Sequence, residues 1–189
     1  MATVKDVELS MEASWEPLNK TRTALGIKPS DRLLVVRIGR SLLQFWEQGA
    51  LVKSYVVSTS TAPPSNLSGS LGTPPGLHEI AERIGAHQPP GVVFTARVPS
   101  GRHYSELPDG ELGSRCLITS RILWLRGLEP GVNAGGNVDT HRRYIYLHGT
   151  QDDRRVGQPW GSGCILLRNA DIVELFERVR VGDQVWITA

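Results

Sequence analysis

The chain has 189 residues, of which 40% are apolar and 21% charged; it is long enough to bury a core and too apolar to stay disordered. Its 21 basic and 19 acidic residues leave a formal net charge of +2 spread along the chain, which excludes a phosphate-backbone binding surface and so nucleic acid as a partner. Two cysteines, Cys116 and Cys164, allow at most one disulfide and no metal knuckle, and no segment reaches the ~18 apolar residues of a membrane span.

Residues 1 to 20 mix Lys5, Asp6, Glu8, Glu12 and Glu16 among few apolar side chains. That pattern does not resemble a secretory signal, and it predicts a cytoplasmic location, or a periplasmic one if the chain is trimmed from a longer one. From Ser10 to Gly26, Trp15, Leu18, Thr21 and Leu25 recur at helical spacing, with Pro17 suited to a first turn and Gly26 to a left-handed stop. A helical extension is therefore expected over residues 1–30, and a separate domain over 31–189.

From Asp31 the pattern changes to short β-rich runs: 33–38, 41–47 and 51–58, joined by hairpin connections at Gly39-Arg40 and Gln48-Gly49. Residues 59–76 carry Pro63-Pro64, Gly69, Gly72 and Pro74-Pro75-Gly76 and predict a long surface loop. Further strands are expected at 77–82, 92–98, 116–125, 143–148 and 184–188, with a glycine-rich loop around Gly131, Gly135 and Gly136. Asn169 is placed to cap a helix whose apolar face is Ile172, Val173, Leu175, Phe176 and Val179, and Gly182-Asp183 turns the chain into the last strand. The sum is a mainly β fold, a sandwich or barrel with one helix before it and one after.

The chemistry concentrates in Tyr144-Ile145-Tyr146-Leu147-His148-Gly149 and, after a polar loop, Gly161-Ser162-Gly163-Cys164-Ile165. A histidine leaving a strand and a cysteine framed by small residues are the two halves of a thiol nucleophile site. The thiol needs an imidazole to take its proton, and the imidazole needs an acceptor to fix its tautomer. Spacing alone leaves open the alternative of a core cysteine beside a turn. Cys116, in an apolar run, reads as a buried small hydrophobe. Arg142-Arg143 and Arg154-Arg155 read as solvated charges, and His78, His87, His103 and His141 as structural or surface histidines with no metal site among them.

The run from His148 to Leu167, HGTQDDRRVGQPWGSGCILL, resembles the catalytic motif of the L,D-transpeptidase (YkuD-type) family. The strands at 33–58, the Thr73–Gly76 turn and the helix start after the cysteine extend the likeness over about residues 31–188. The resemblance implies a YkuD-like β-sandwich that attacks the bond between diaminopimelate and D-alanine in murein stem peptides through a thioester, without a cofactor or metal. It assigns Cys164 as nucleophile, His148 as base, the Gly149 carbonyl as the group orienting the imidazole, and the amides of Gly163 and Cys164 as the oxyanion hole. Ser162, Trp160, Tyr146 and Arg168 are candidates for substrate contact. Three positions depart from the family pattern: Gly161 stands for a serine or threonine, Ser162 for a frequent histidine, and Leu166 for an arginine.

Because no export signal is read, water is the expected acceptor, which makes the chain a murein L,D-carboxypeptidase acting on tetrapeptide fragments from wall recycling. An L,D-transpeptidase cross-linking stem peptides is the alternative within the class. A catalytically silent murein-fragment binding module is the alternative outside it. The oligomeric state is not legible.

Overall fold

A computed structural model describes residues 4–108 and 116–189, with side chains described from Trp15 onward. The chain divides into two compact units, residues 1–30 and 31–189.

The first unit is one helix, α1 (Val4–Leu25), followed by Gly26 at φ +65° as its left-handed stop. The helix begins six residues before the expected Ser10, so Pro17 lies in its interior rather than in a first turn. An interior proline removes one helical hydrogen bond, because it has no N–H to give.

The second unit is built on ten strands: β1 (Arg32–Arg37), β2 (Leu42–Glu47), β3 (Ala50–Val56), β4 (Gly76–Ile84), β5 (Val92–Thr95), β6 (Val98–His103), β7 (Ile118–Gly127), β8 (Tyr146–Gly149), β9 (Ile165–Leu167) and β10 (Gln184–Thr188). They run in the order β3-β2-β1-β10-β4-β7-β5-β6, with β8 on β7 and β9 on β8. Most neighbours are antiparallel; β1–β10 and β8–β9 are parallel. One helix, α2 (Asn169–Arg178), lies between β9 and β10 in the chain.

The expected 92–98 strand is in fact the first half of a hairpin, which turns at Ala96-Arg97 between Thr95 and Val98. Both turn residues have left-handed backbones, at φ +46° and +69°, although neither is the glycine or asparagine that such a turn favours. No turn signal was therefore visible. The Gln48-Gly49 hairpin forms as expected, whereas Ile38–Arg40 makes a single turn of 3-10 helix before Ser41.

Strand β7 is the spine of the site. One edge pairs β4 through Ile122–Gly127 and then β5 at Ile118 and Thr119; the other pairs β8. At Ser120, with φ +66°, its register against β8 shifts between Thr119 and Ile122, the local bend a β-bulge produces.

The core gathers Leu34, Val36 and Phe45 from β1 and β2, Leu123 and Leu125 from β7, Ile187 from β10, and Ile172, Leu175 and Phe176 from α2. The apolar face of α2 thus covers one side of the sheet, as its periodicity predicts. Asn169 is the first residue of α2 and not its cap; that position is Arg168, which makes no side-chain capping bond. The Asn169 side chain instead accepts from Thr119 Oγ1 (2.6 Å) and Ser120 Oγ (2.5 Å) and donates to the Thr150 carbonyl (2.7 Å). It ties the start of α2 to β7 and to the end of β8.

Candidate active site

His148 and Cys164 reach one cleft because two short strands run parallel with a fixed register. Leu147 pairs Ile165, His148 pairs Leu166 and Gly149 pairs Leu167. Side chains alternate along each strand, so Ile145, Leu147, Ile165 and Leu167 point into the core. Tyr146, His148, Cys164 and Leu166 take the opposite face and line a cleft of about 490 Å³.

The imidazole is 2% exposed. Its Nδ1 lies 2.7 Å from the Gly149 carbonyl oxygen; a carbonyl only accepts, so Nδ1 carries the proton and Nε2 keeps its lone pair. Burial lowers the imidazole pKa to about 4, because the charged ring would lose its hydration. The imidazole is therefore neutral throughout the physiological range.

The half-buried Cys164 thiol is 3.4 Å from the Tyr146 N–H, which donates to sulfur, and 3.5 Å from the Tyr144 carbonyl, which accepts from it. Burial pushes the thiol up to about 12, against the smaller opposing effects of the Tyr146 amide and the Arg143 guanidinium. The resting pair is thus a neutral thiol beside a neutral imidazole. Such a pair reacts by passing the proton as the carbon–sulfur bond forms, rather than from a standing thiolate.

Two glycines of the motif have steric reasons. Gly163 has φ +115°, and a Cβ there would come within 2.9 Å of Ile145 Cδ1; the left-handed backbone turns the chain immediately before the cysteine. Among the described residues, neither the Gly163 nor the Cys164 amide is taken up by a turn or loop hydrogen bond. At Gly149, a Cβ would press on Asn169 Oδ1 at 2.6 Å and on Thr119 Oγ1 at 2.7 Å. The strand end packs against the Asn169 network, and only glycine fits.

The departures from the family pattern have defined places. Leu166 is fully buried in the cleft wall. Gly161 is pinned beside Ser60, with its N–H on the Thr59 carbonyl at 2.9 Å and its own carbonyl accepting from Thr61. Ser162 is exposed on the cleft wall, and Tyr146 is part of the same wall. Trp160 lies outside that wall, under the Arg155 guanidinium at 4.5 Å, and Arg168 reaches toward Asp171 at 4.0 Å.

Several neighbours of the site escaped sequence reading. Cys116 is half-buried on the cleft wall beside Ile118, not sealed in the core, and burial raises its thiol to about 11. Tyr144 joins the wall from a left-handed backbone, φ +57°; its period-2 spacing with Tyr146 and His148 was the available signal. Arg143 is not a solvated charge. It donates to the Ser65 carbonyl (2.8 Å) and the Gly72 carbonyl (2.6 Å), clasping the 59–76 loop beside Gly163. Arg142 is exposed, as is Arg154, which pairs Asp152 at 3.0 Å. His78 is buried between the Gly76 carbonyl and Thr140, and no group of three or more metal-ligating side chains gathers among the described residues. None of the described helices is long and apolar enough to cross a membrane.

A family model described as the YkuD L,D-transpeptidase catalytic domain matches residues 31–187. YqjB of Bacillus subtilis, which bears an L,D-transpeptidase name, is 35% identical over 81 residues, 43% of this chain and 37% of that protein. Among solved structures, the L,D-transpeptidase from Xylanimonas cellulosilytica superposes with a TM-score of 0.52 at 15% identity, covering 85% of this chain and 62% of that one. L,D-transpeptidase 3 from Mycobacterium tuberculosis gives 0.51 at 13% identity, covering 84% and 61%. At such identities these structures establish the fold, and the chain spans less than two thirds of each of these relatives. Together with the family match, they place the chain in the YkuD family of cysteine-dependent L,D-transpeptidase enzymes.

Proposed function

We propose that the chain carries out acyl transfer at Cys164 on a murein stem peptide, with water as acceptor, and so acts as an L,D-carboxypeptidase. The observation that carries the reading is that His148 and Cys164 line one cleft, with Nδ1 held by Gly149 and the Nε2 lone pair left to act as a base.

In the first half-reaction the Cys164 sulfur attacks the carbonyl carbon on the L-centre side of the scissile bond while its proton passes to His148 Nε2. The oxyanion so formed meets the amides of Gly163 and Cys164; each such donor is typically worth about 3 kcal/mol of barrier. The carbon–nitrogen bond then breaks, His148 returns the proton to the departing D-alanine nitrogen, and a thioester remains. Water, losing a proton to Nε2, attacks the thioester and releases the shortened peptide and the thiol.

The cleft volume of about 490 Å³ is on the scale of one small ligand, room for the reacting end of one donor peptide. The alternative, transfer to an amine of a second stem peptide, is favoured by the name that YqjB bears. A partition assay separates the two: a soluble tetrapeptide is supplied with and without a second stem peptide as amine donor, and the products are weighed. Loss of D-alanine as the main product is expected; a dominant cross-linked dimer replaces hydrolysis by transpeptidation. A carbapenem should add its mass at Cys164 in either case, and no adduct together with no product would remove the thiol reading altogether.

A further inference from the structure

The Leu166 position leaves the cleft wall apolar where the family pattern has an arginine, yet a different cation stands at its edge. Arg97, at the tip of the β5–β6 hairpin, lays its guanidinium over Trp124 at 4.6 Å and toward Tyr144 at 5.2 Å, and donates to the Tyr146 hydroxyl at 3.3 Å. Tyr144 and Tyr146 are wall residues of the cleft, and the Tyr146 N–H touches the Cys164 sulfur. Arg97 therefore stands one tyrosine side chain away from the nucleophile.

Three features distinguish this arginine from an ordinary surface charge. First, the left-handed pair Ala96-Arg97, at φ +46° and +69°, makes the tight two-residue turn that sets Arg97 at the hairpin tip. Secondly, Arg97 is in no ion pair among the described residues; Glu82 acts on it only at a distance and lies 3.5 Å from His141. Thirdly, arginine accepts no hydrogen bond, so the hydroxyl proton of Tyr146 is not spent on their contact. An arginine fork and a tyrosine O–H side by side, aromatic faces behind them, form a carboxylate receptor.

We propose that Arg97, with the Tyr146 hydroxyl, binds a free carboxylate of the donor peptide and makes this enzyme select the acid over the carboxamide. This rests on the acyl-transfer reading of the Cys164 cleft. Two carboxylates of a stem tetrapeptide are in reach of such a receptor: the side-chain carboxylate of diaminopimelate and the terminal carboxylate of D-alanine. The chemistry of recognition is the same for both.

The test compares the free tetrapeptide with two versions, one amidated at the diaminopimelate side chain and one at the C-terminus, on wild type, Arg97→Gln, Arg97→Lys and Tyr146→Phe. For wild type, KM should be at least about tenfold lower for the free acid than for one of the amides, with kcat little changed. Arg97→Gln should erase that ratio, Arg97→Lys should restore part of it, and Tyr146→Phe should shrink it. The amide that wild type disfavours identifies the carboxylate. Binding of the same peptides to Cys164→Ala protein, with and without Arg97→Gln, gives a readout that needs no turnover. If wild type cleaves none of the peptides but the Cys164→Ala protein distinguishes acid from amide through Arg97, the receptor stands and the carboxypeptidase reading falls. If acid and amide bind and react alike, or if Arg97→Gln weakens all peptides by the same factor, Arg97 merely packs the hairpin and the proposal is overturned.

Discussion

The two faces of the β8–β9 pair share one backbone ladder and divide the labour of the molecule. On one face Ile145, Leu147, Ile165 and Leu167 are buried among α2 and the central strands. On the other, Tyr146 and His148 are almost as deeply buried, Leu166 fully so, and Cys164 half-buried; these four line the cleft, and Tyr146 also packs with Val92, Phe94, Ile122 and Trp124 in a smaller second core. Burial of similar depth thus has different consequences. Among aliphatic neighbours it stabilises the fold; around an imidazole and a thiol it keeps both neutral. A slip of one residue in either strand would exchange the faces and lose both.

The sharpest separation of the two faces is chemical. Cys164→Ala and His148→Ala should each lower turnover by at least about a thousandfold, and the double variant should be hardly worse than either, because the two act as a unit. The unfolding midpoint should move little for Cys164→Ala and fall for His148→Ala, which leaves a cavity in place of a buried imidazole. D-alanine release and urea denaturation measured on the same samples check both halves, and multiplicative losses in the double variant would break the pairing.

Gly163→Ala should lower kcat about a hundredfold, since a Cβ at φ +115° and 2.9 Å from Ile145 Cδ1 forces the turn that aims the two amides. Unchanged kcat would remove those amides from the oxyanion hole.

On the core face the signs reverse. Leu147→Ala should cost about 2–5 kcal/mol of stability while the molecules that remain folded keep their turnover. A variant that stays stable but loses activity would mean that the two faces are not separable.

The smallest effect is a matter of pH. The two buried imidazoles, His78 and His148, both titrate near about 4 in the folded chain, against about 6.5 when unfolded. Because the native state binds these protons less readily, their contribution to stability is complete above about pH 6.5 and is lost as pH falls toward 4. Each contributes a slope of at most about 1.4 kcal/mol per pH unit. His148→Gln should therefore flatten the acid limb of the stability profile by about that amount, and an unchanged slope would contradict the buried neutral imidazole.

Most strands were legible from composition, because alternation and turn residues report local conformation directly. So was the His148–Cys164 pair as a motif, while its placement in one cleft depended on a parallel pairing between strands that sequence spacing does not specify. Arg97 shows where reading stops. It follows a run that continues as a plausible strand, and its turn lacks the glycine that would have marked it; only the tertiary packing against Trp124 explains the conformation. Arg143 was misread for a related reason, since its partners are backbone carbonyls more than seventy residues away. Pro17 shows the opposite error, a local rule overridden by a helix that began earlier.

The position of β10 bears on how the molecule comes into being. It is the last strand in chain order, yet it lies between β1 and β4, with Leu33 paired to Gln184 and Trp186 to Leu77. Until it inserts, β1 and β4 each keep an open edge that invites association with other chains, and the strand pairing left between β3-β2-β1 and the β4–β9 group, among the described residues, is the short bridge of Ser58 to Leu166 and Ser60 to Gly161. Joining them closes a loop of some 150 residues, the kind of remote contact that slows folding. The sheet can therefore close only after β10 has been made, and the interval in which both edges wait is the period when a nascent chain would most need a chaperone.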